Sequence, residues 1–431
     1  MRAFCLASIL ALAAALPARA AQITEVADAV DGDDPFDANL EVKFDVERHS
    51  GLITRENFQP PQNDAGGKPR TVDVKELSFE RVRFRIKPRL EVGIFHDLSA
   101  FAEWPIVIWD QQAFRYAEGT DQGNSSFGRD IAPNPSPPVD SWPETAGAGN
   151  DSQRIQNGKY GFPGKDYNDW RMKPGDGTFT GYRQGFDNPS FGLRFSPLNN
   201  DRDDTKPTIT LQADYTAPFF QFMNPTDDKL DDPQNPGPVA DGSHKFHFSV
   251  AMSKRFLILD PYFQIEYTLP LAATSGGSLL GAFPRQVGGF MMGTEIIPYE
   301  EKKLDQKFAI DVNAFATYFS EGRDYSEVSD MLKEQTYTDQ WVQTGLSAGI
   351  FFKAFQYFFF DVTGRLAYDS SHLLTIEDFG TDGPDLNPDI NLDNPKERNP
   401  YYNPAIDTVG RRVRVEQSLH LGVLVHAALT F

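Results

Sequence analysis

The chain has 431 residues, with 41 basic against 61 acidic, a formal net charge of −20 and one cysteine. So acidic a balance argues against nucleic acid as a partner. Cys5 lies in an N-terminal leader, so disulfides, thiolate metal sites and cysteine catalysis are excluded once that leader is gone.

Met1 and Arg2 form a small basic n-region, Ala3 to Leu16 an apolar stretch, and Ala18-Arg19-Ala20 a small-x-small cleavage site before Ala21. Residues 1–20 are therefore expected to be a removed signal peptide. The apolar run is shorter than the roughly 20 residues of a spanning helix. Losing Arg2 and Arg19 makes the mature chain still more acidic. No later segment holds 18 consecutive apolar residues, but this says nothing against membrane strands, whose alternation averages out in any sliding window.

Residues 21–37 are acidic and patternless, and read as a lead-in. The first strand signal, 39–48, has Leu40, Val42, Phe44 and Val46 on one face and Glu41, Lys43, Asp45 and Glu47 on the other. A polar loop over about 50–73 leads to a second strand over about 76–95, with Val82, Phe84, Ile86, Leu90, Val92 and Ile94 on its apolar face. Pro88 falls in that row, where it should cost a ladder bond. A turn at His96-Asp97 opens a third strand, 98–109, whose faces cannot be assigned by alternation.

The longest gap, 111–187, is rich in Gly, Pro, Asn and Asp. Strands then follow around Phe191 to Phe195, Ile209 to Tyr215, Phe246 to Met252, Phe263 to Leu269, 287–298, Phe308 to Tyr318, 338–353 and 357–369. Between them lie connections at 198–206, 218–243, Leu259-Asp260-Pro261, 299–304, 320–337, Ala354-Phe355-Gln356 and 370–409. The last strand is the longest clear alternation. From Val413 to Phe431 every odd position but Gln417 is apolar, while Arg414, Glu416, Ser418, His420, Gly422, His426 and Thr430 occupy even ones. Soluble strands usually have 5 to 6 residues, whereas a tilted strand crossing a bilayer needs about 9 to 11.

The count is twelve strands, with ten or fourteen as alternatives, and the connections alternate long and short through the whole chain. An amphipathic final strand ending on a terminal Phe, behind a secretory leader, resembles the Gram-negative outer-membrane β-barrel proteins. The resemblance implies an all-β transmembrane antiparallel barrel over 38–431, short periplasmic turns, long extracellular loops and a periplasmic lead-in at 21–37. It also implies contact with outer-membrane lipid and lipopolysaccharide, and with the barrel-assembly machinery through Phe431. Tyr215, Tyr267, Tyr318 and Tyr368, on apolar faces near upper strand ends, fit one aromatic girdle. Oligomeric state is not legible.

With apolar faces toward lipid, the other positions line a lumen. The second strand then presents Arg81, Arg83, Arg85, Lys87 and Arg89 on one wall. Neighbours about 7 Å apart repel by roughly 0.6 kcal/mol in water and about 2.4 kcal/mol at an effective dielectric of 20, so the ladder needs anions or water. Glu41, Asp45 and Glu47 on one neighbour, and Arg412, Arg414 and Glu416 beyond it, are placed inward by the same alternation. Glu103, Asp214, Glu266, Glu295, Asp311 and Asp361 make the opposite wall mainly acidic, against Arg194, Lys245 and Arg365. Two readings stand: a salt-bridge ladder that fills a narrow barrel, and a pore with a transverse field. General porins resemble the second, and the 111–187 loop could enter the lumen as theirs do. That reading makes the protein a passive channel for small polar or charged solutes. The alternatives are a non-conducting structural or assembly barrel and an outer-membrane hydrolase.

Catalytic and metal signals are weak. His49-Ser50, Ser243-His244 and Ser371-His372 are adjacent pairs, and neighbours on a strand point to opposite faces, so none is itself a nucleophile and base. The histidines show no metal-binding spacing. The acidic run Asp385 to Asp393 has Ile390 and Lys396 where a calcium loop of EF-hand type needs Gly and Glu, so it reads as surface loop. No cofactor, no metal and no catalytic residue is assigned.

Overall fold

In the computed structural model the described residues are 21–27, 29–31, 34–59, 70–121, 125, 127, 171, 178–200, 202–203, 205–227, 229–273, 283–301, 304, 306–355, 357–381, 394, 396–403 and 406–431. The expected leader and the 385–393 run lie outside them. Alternating apolar and polar residues leave each strand with one face for lipid and one for the interior, and the backbone groups must then be satisfied from strand to strand.

Twelve antiparallel strands do this in a closed ring. They are β1 (Ala38–Gln59), β2 (Arg70–Phe95), β3 (Leu98–Glu103 continued by Ile106–Tyr116), β4 (Phe179–Phe186 continued by Ser190–Leu198), β5 (Thr208–Thr216), β6 (Ser243–Ser253), β7 (Leu259–Ala272), β8 (Val287–Glu301), β9 (Gln306–Phe319), β10 (Trp341–Phe355), β11 (Phe358–Asp369) and β12 (Val413–Thr430). Each pairs with the next, and β12 returns to β1 from Val413↔Arg55 to Thr430↔Asn39. The last residue completes the seam: the Phe431 N–H donates to the Ala38 carbonyl at 2.9 Å, and the Ala38 N–H to the Phe431 carbonyl at 3.0 Å.

The outward rows are apolar. Leu40, Val42, Leu193, Phe248, Ile265, Val312, Leu346, Leu366, Leu421 and Val423 are all exposed. Tyr267, Tyr318 and Tyr368 are exposed on the same surface near upper strand ends, with Tyr215 half-buried beside them. The Tyr267 and Tyr318 hydroxyls each donate at 2.6 Å to a loop glutamine, Gln286 and Gln340. At the other rim stand Phe95, Phe256, Phe355, Tyr357 and Phe358. Ten residues separate Tyr368 from Phe358 on β11, about 33 Å along the strand and about 25 Å along the axis at a tilt of roughly 40°. That matches the apolar height of an outer-membrane barrel.

The structure lengthens the upper strands. Residues 50–59 and 70–75, read from sequence as loop, continue the β1–β2 hairpin, and 111–116 and 179–186 belong to β3 and β4 rather than to the long gap. Their alternation is hidden because their inward residues are a mixture: Ile53, Phe114 and Phe179 pack with Leu77 and Phe79 into a buried apolar cluster, while Gln112 is a buried polar group.

The break in β3 at Trp104-Pro105 explains Pro88. The Trp104 N–H donates to the Pro88 carbonyl at 3.0 Å, so residue 88 turns its backbone groups toward β3. Its missing donor therefore faces the point where β3 is interrupted and leaves no interior ladder position unpaired.

Candidate functional site: the barrel interior

A cavity of about 1000 Å³ occupies the middle of the barrel. Arg81, Arg83, Arg85 and Lys87 of β2 line one wall, and Glu266 of β7, Asn313 of β9 and Arg365 of β11 line others. The four cations keep 22 to 30 % of their side-chain surface exposed, so they border solvent-filled space rather than a packed core.

The ladder is paired, chiefly by a residue that sequence reasoning did not place. Asp110 of β3 accepts from Arg81 at 2.7 and 2.6 Å and from Arg83 at 2.9 and 2.8 Å. It was missed because the break at Trp104-Pro105 removes the alternation that would have assigned its face. Arg85 reaches Asp45 and, at 3.2 Å, Glu47. Lys87 has, among the described residues, a single ion pair, with Asp45 at 3.5 Å. Arg89 pairs with Glu91 at 2.6 Å and stacks on the Phe101 ring at 3.8 Å. Glu41 lies 3.5 Å from Lys43 and 3.3 Å from His426.

Opposite, the carboxylates are held mostly by histidine and neutral donors. Asp214 and Glu266 flank His247 at 2.8 and 3.7 Å. Asp311 accepts from Tyr262 at 2.7 Å and Asn313 at 2.9 Å. Asp361, expected on this side, instead lies 2.8 Å from His426, whose other nitrogen reaches Glu41, so it stands beside the basic wall. Arg365 projects over the Phe315 ring at 4.2 Å and donates to Gln343 at 2.8 Å.

Arg412, Arg414 and Glu416 do not face the interior, contrary to the sequence reading. Between Glu416↔Leu52 and Leu419↔Ser50 the pairing register shifts, with Gln417 at φ 52°. Such a bulge sets two residues against one and exchanges the faces beyond it. Val413 and Val415 thereby become the buried interior residues, while Arg412 pairs with Glu56 at 2.7 Å and Arg414 with Asp73 at 3.6 Å.

The barrel interior is occupied above and below this cavity. The loop that enters from above is 320–340, of which 320–337 reads from sequence as an ordinary connection and 338–340 as strand: Gly322–Asp324 pairs with Thr336–Thr338, and the short helix Ser329–Leu332 between them is buried. Asp330 in that helix receives Arg183 of β4 at 2.5 and 2.9 Å, and Gln112 of β3 donates to the Glu327 carbonyl. Of the 111–187 gap, the described Phe127 joins the same buried cluster as Met331 and Leu332. Below, residues 21–27 cross the periplasmic end. These residues of the lead-in are thus an interior element. Its backbone is held by Arg194 on the Ile23 carbonyl at 3.1 Å and Thr210 on the Thr24 carbonyl at 2.7 Å.

One histidine cluster invites a catalytic or metal reading. His49 Nε2 lies 2.8 Å from Ser418 Oγ, which donates to Asp369 at 2.7 Å, and His420 bridges Asp369 at 2.8 Å and Glu47 at 3.0 Å. The serine proton is committed to the carboxylate, so His49 faces the hydroxyl as a donor and not as a base. The His49 and His420 rings stack at 3.8 Å and 15°. With Asp369 the two histidines bring one ligand atom each within 4.8 Å of one another, but His49 Nε2 already meets Ser418 and both His420 nitrogens already meet carboxylates. Ser50, Ser243 and Ser371 take no part in this cluster.

These features define a twelve-stranded transmembrane β-barrel of outer-membrane type, with a charged interior cavity between an extracellular loop and an N-terminal segment. No protein-family model and no curated protein sequence matches the chain. Among solved structures it is similar to an outer membrane channel from Pseudomonas putida F1, at 8% identity over 91% of this chain and 96% of that one, with a TM-score of 0.41. It is also similar to a Pseudomonas aeruginosa FadL homologue (9% identity, 92% and 90% covered, TM-score 0.33) and to an anion-selective porin from Comamonas acidovorans (11%, 92% and 99%, TM-score 0.23).

Proposed function

We propose that the protein is an outer-membrane channel for passive diffusion of small polar or charged solutes, exported behind a cleaved signal peptide and inserted through its C-terminal strand. The observation that carries this is the cavity of about 1000 Å³ bordered by partly exposed cations. A barrel built only for rigidity would fill this space with side chains. Passage requires residues 21–27 to move from the periplasmic end. The basic wall, Arg81 to Lys87 with Glu41, Asp45, Glu47 and Asp361 beside it, and the acidic wall at Asp214, Glu266 and Asp311, set the field a solute meets; Arg89 lies at its lower end. We read the protein as non-enzymatic, because Ser418 lacks a base in the right protonation geometry.

Single-channel recording on purified, refolded protein tests this, with a variant lacking residues 21–27 beside it. The reading expects small or intermittent conductance in the intact chain and a larger, steadier one in the variant. A second reading, a non-conducting structural barrel, is favoured by the pairing of Arg81 and Arg83 on one buried carboxylate and by the elements that occupy the interior above and below the cavity. Absence of conductance in both proteins would establish it. Membrane fractionation checks the location, and protease applied to intact cells should cut within 117–178 or 370–409 and spare 96–97 and 254–258.

A further inference from the structure

Asp260, the second residue of β7, is fully buried, and neither of its carboxylate oxygens has a hydrogen-bond partner. A buried carboxylate without a partner is among the costliest arrangements a fold can contain, so its surroundings should reveal what completes it. Asp260 faces Glu295 across the β7–β8 pairing, and Tyr262, two residues on, stands opposite Ser253. Inward side chains at such positions are close neighbours. Glu295 has its own cation, with Lys307 Nζ at 3.0 Å. Among the described residues no cation lies within ion-pair distance of Asp260: Lys307 and Arg255 act on it from farther off but are engaged by Glu295 and Glu300, and Glu25 adds negative charge, so the pocket is short of positive charge.

The chain's own backbone enters this pocket at Ala21. Ala21 is fully buried, and its nitrogen lies 3.4 Å from Ser253 Oγ. The Gln22 N–H donates to Glu295 at 2.6 Å, and the Thr24 and Ser253 hydroxyls meet at 2.8 Å. Residues 21–24 are therefore held at a fixed register against the acidic group. We infer that this pocket is a binding site for the α-ammonium of the mature chain, created when the leader is cut between Ala20 and Ala21, with Asp260 as its counterion and Ser253 as its second acceptor. An amide at this position donates one hydrogen bond and carries no charge. The ammonium carries three donors and the missing charge, so leader removal itself latches the periplasmic segment. The inference rests on the cleavage position and not on conduction.

The test uses mature protein purified from membranes and an amine-acylating reagent at pH 7, where lysines are almost wholly protonated and an exposed α-amine reacts selectively. Labelling of the N-terminal peptide is read by mass spectrometry in the folded and denatured protein. The expected result is a chain beginning at Ala21 whose α-amine reacts at least ~10-fold more slowly when folded, with protection largely lost in Asp260→Asn. A form carrying one extra glycine before Ala21, checked for folding by heat-modifiability, covers the case in which Asp260→Asn does not assemble, and it should also lose protection. A mature chain starting elsewhere, equal rates in folded and denatured protein, or full protection kept in Asp260→Asn or in the extended form would each overturn the assignment. In the last case Asp260 holds a proton or an inorganic cation instead.

Discussion

Arg81 and Arg83 share a single carboxylate, that of Asp110, whose side chain is 2 % exposed. Two guanidiniums on successive inward positions of β2 would otherwise repel, and the bidentate contacts make this carboxylate the element that lets them stand side by side.

Asp110→Asn keeps the shape and removes the charge. Breaking a fully buried pair costs about 3–5 kcal/mol, but both arginines border the cavity, so water replaces part of the loss and about 1–3 kcal/mol is expected. The folded form on a heat-modifiability gel should melt at lower temperature. If the lumen conducts, its preference should move toward anions. Unchanged melting would mean that Asp110 does not carry the pair.

Arg85 and Lys87 separate structure from conduction. Arg85→Glu would set a carboxylate against Asp45 and Glu47, its present partners, so assembly or heat stability should fall sharply. Lys87, with a single ion pair among the described residues, at 3.5 Å, should tolerate glutamate. In a channel, Lys87→Glu should shift the reversal potential toward cation preference, more at low salt than at 1 M, where the screening length is about 3 Å. An assembled, conducting Lys87→Glu variant with unchanged preference would remove this residue from the conduction path.

How far the sequence discloses this molecule follows from where period two survives. Strand number, strand order and the lipid face were legible because outward rows such as Leu40-Val42-Phe44 repeat without interruption. The fine structure of the interior was not. A single bulge at Gln417 exchanged the faces of Arg414 and Val415, and the break at Trp104-Pro105 hid Asp110. Val328, Met331 and Leu332 make the 320–340 loop an interior element, yet three apolar residues among polar ones carry no periodic signal. Residues 21–27 are held largely through their backbone, by Glu91, Arg194, Thr210 and Glu295, so their side chains give no hint of where they lie.

The extracellular 370–409 loop should respond to pH through Asp407. Burial lifts its carboxyl well above the usual carboxylate range; the Asn403 and Glu377 N–H groups pull the other way, while Glu334 adds to the rise. The folded state therefore holds a proton that the unfolded loop releases, and this contribution is fully present below the ordinary carboxylate pKa near 4 and fades as pH rises through the folded value. Limited proteolysis of 370–409 should accelerate from acid toward neutral pH when corrected for protease activity. A rate that falls over the same range would place Asp407 among the ionised carboxylates.

Deleting Phe431 tests whether the terminal residue acts in the folded barrel or during assembly. In the barrel it contributes two backbone hydrogen bonds to Ala38, and the residue is 62 % exposed. Losing those bonds should cost about 1–3 kcal/mol, a modest fraction of what a seam running from Asn39↔Thr430 to Arg55↔Val413 provides. A purely structural role therefore predicts near-normal amounts of inserted protein with a slightly lower melting temperature. If the residue is read by the assembly machinery, the loss comes before folding, and membrane-inserted protein should fall by at least ~10-fold in cells while refolding in detergent proceeds almost as for the intact chain, as expected from so small a change in stability. Comparing cellular insertion with refolding of the same variant separates the two, and equal, mild losses in both would reject the assembly role.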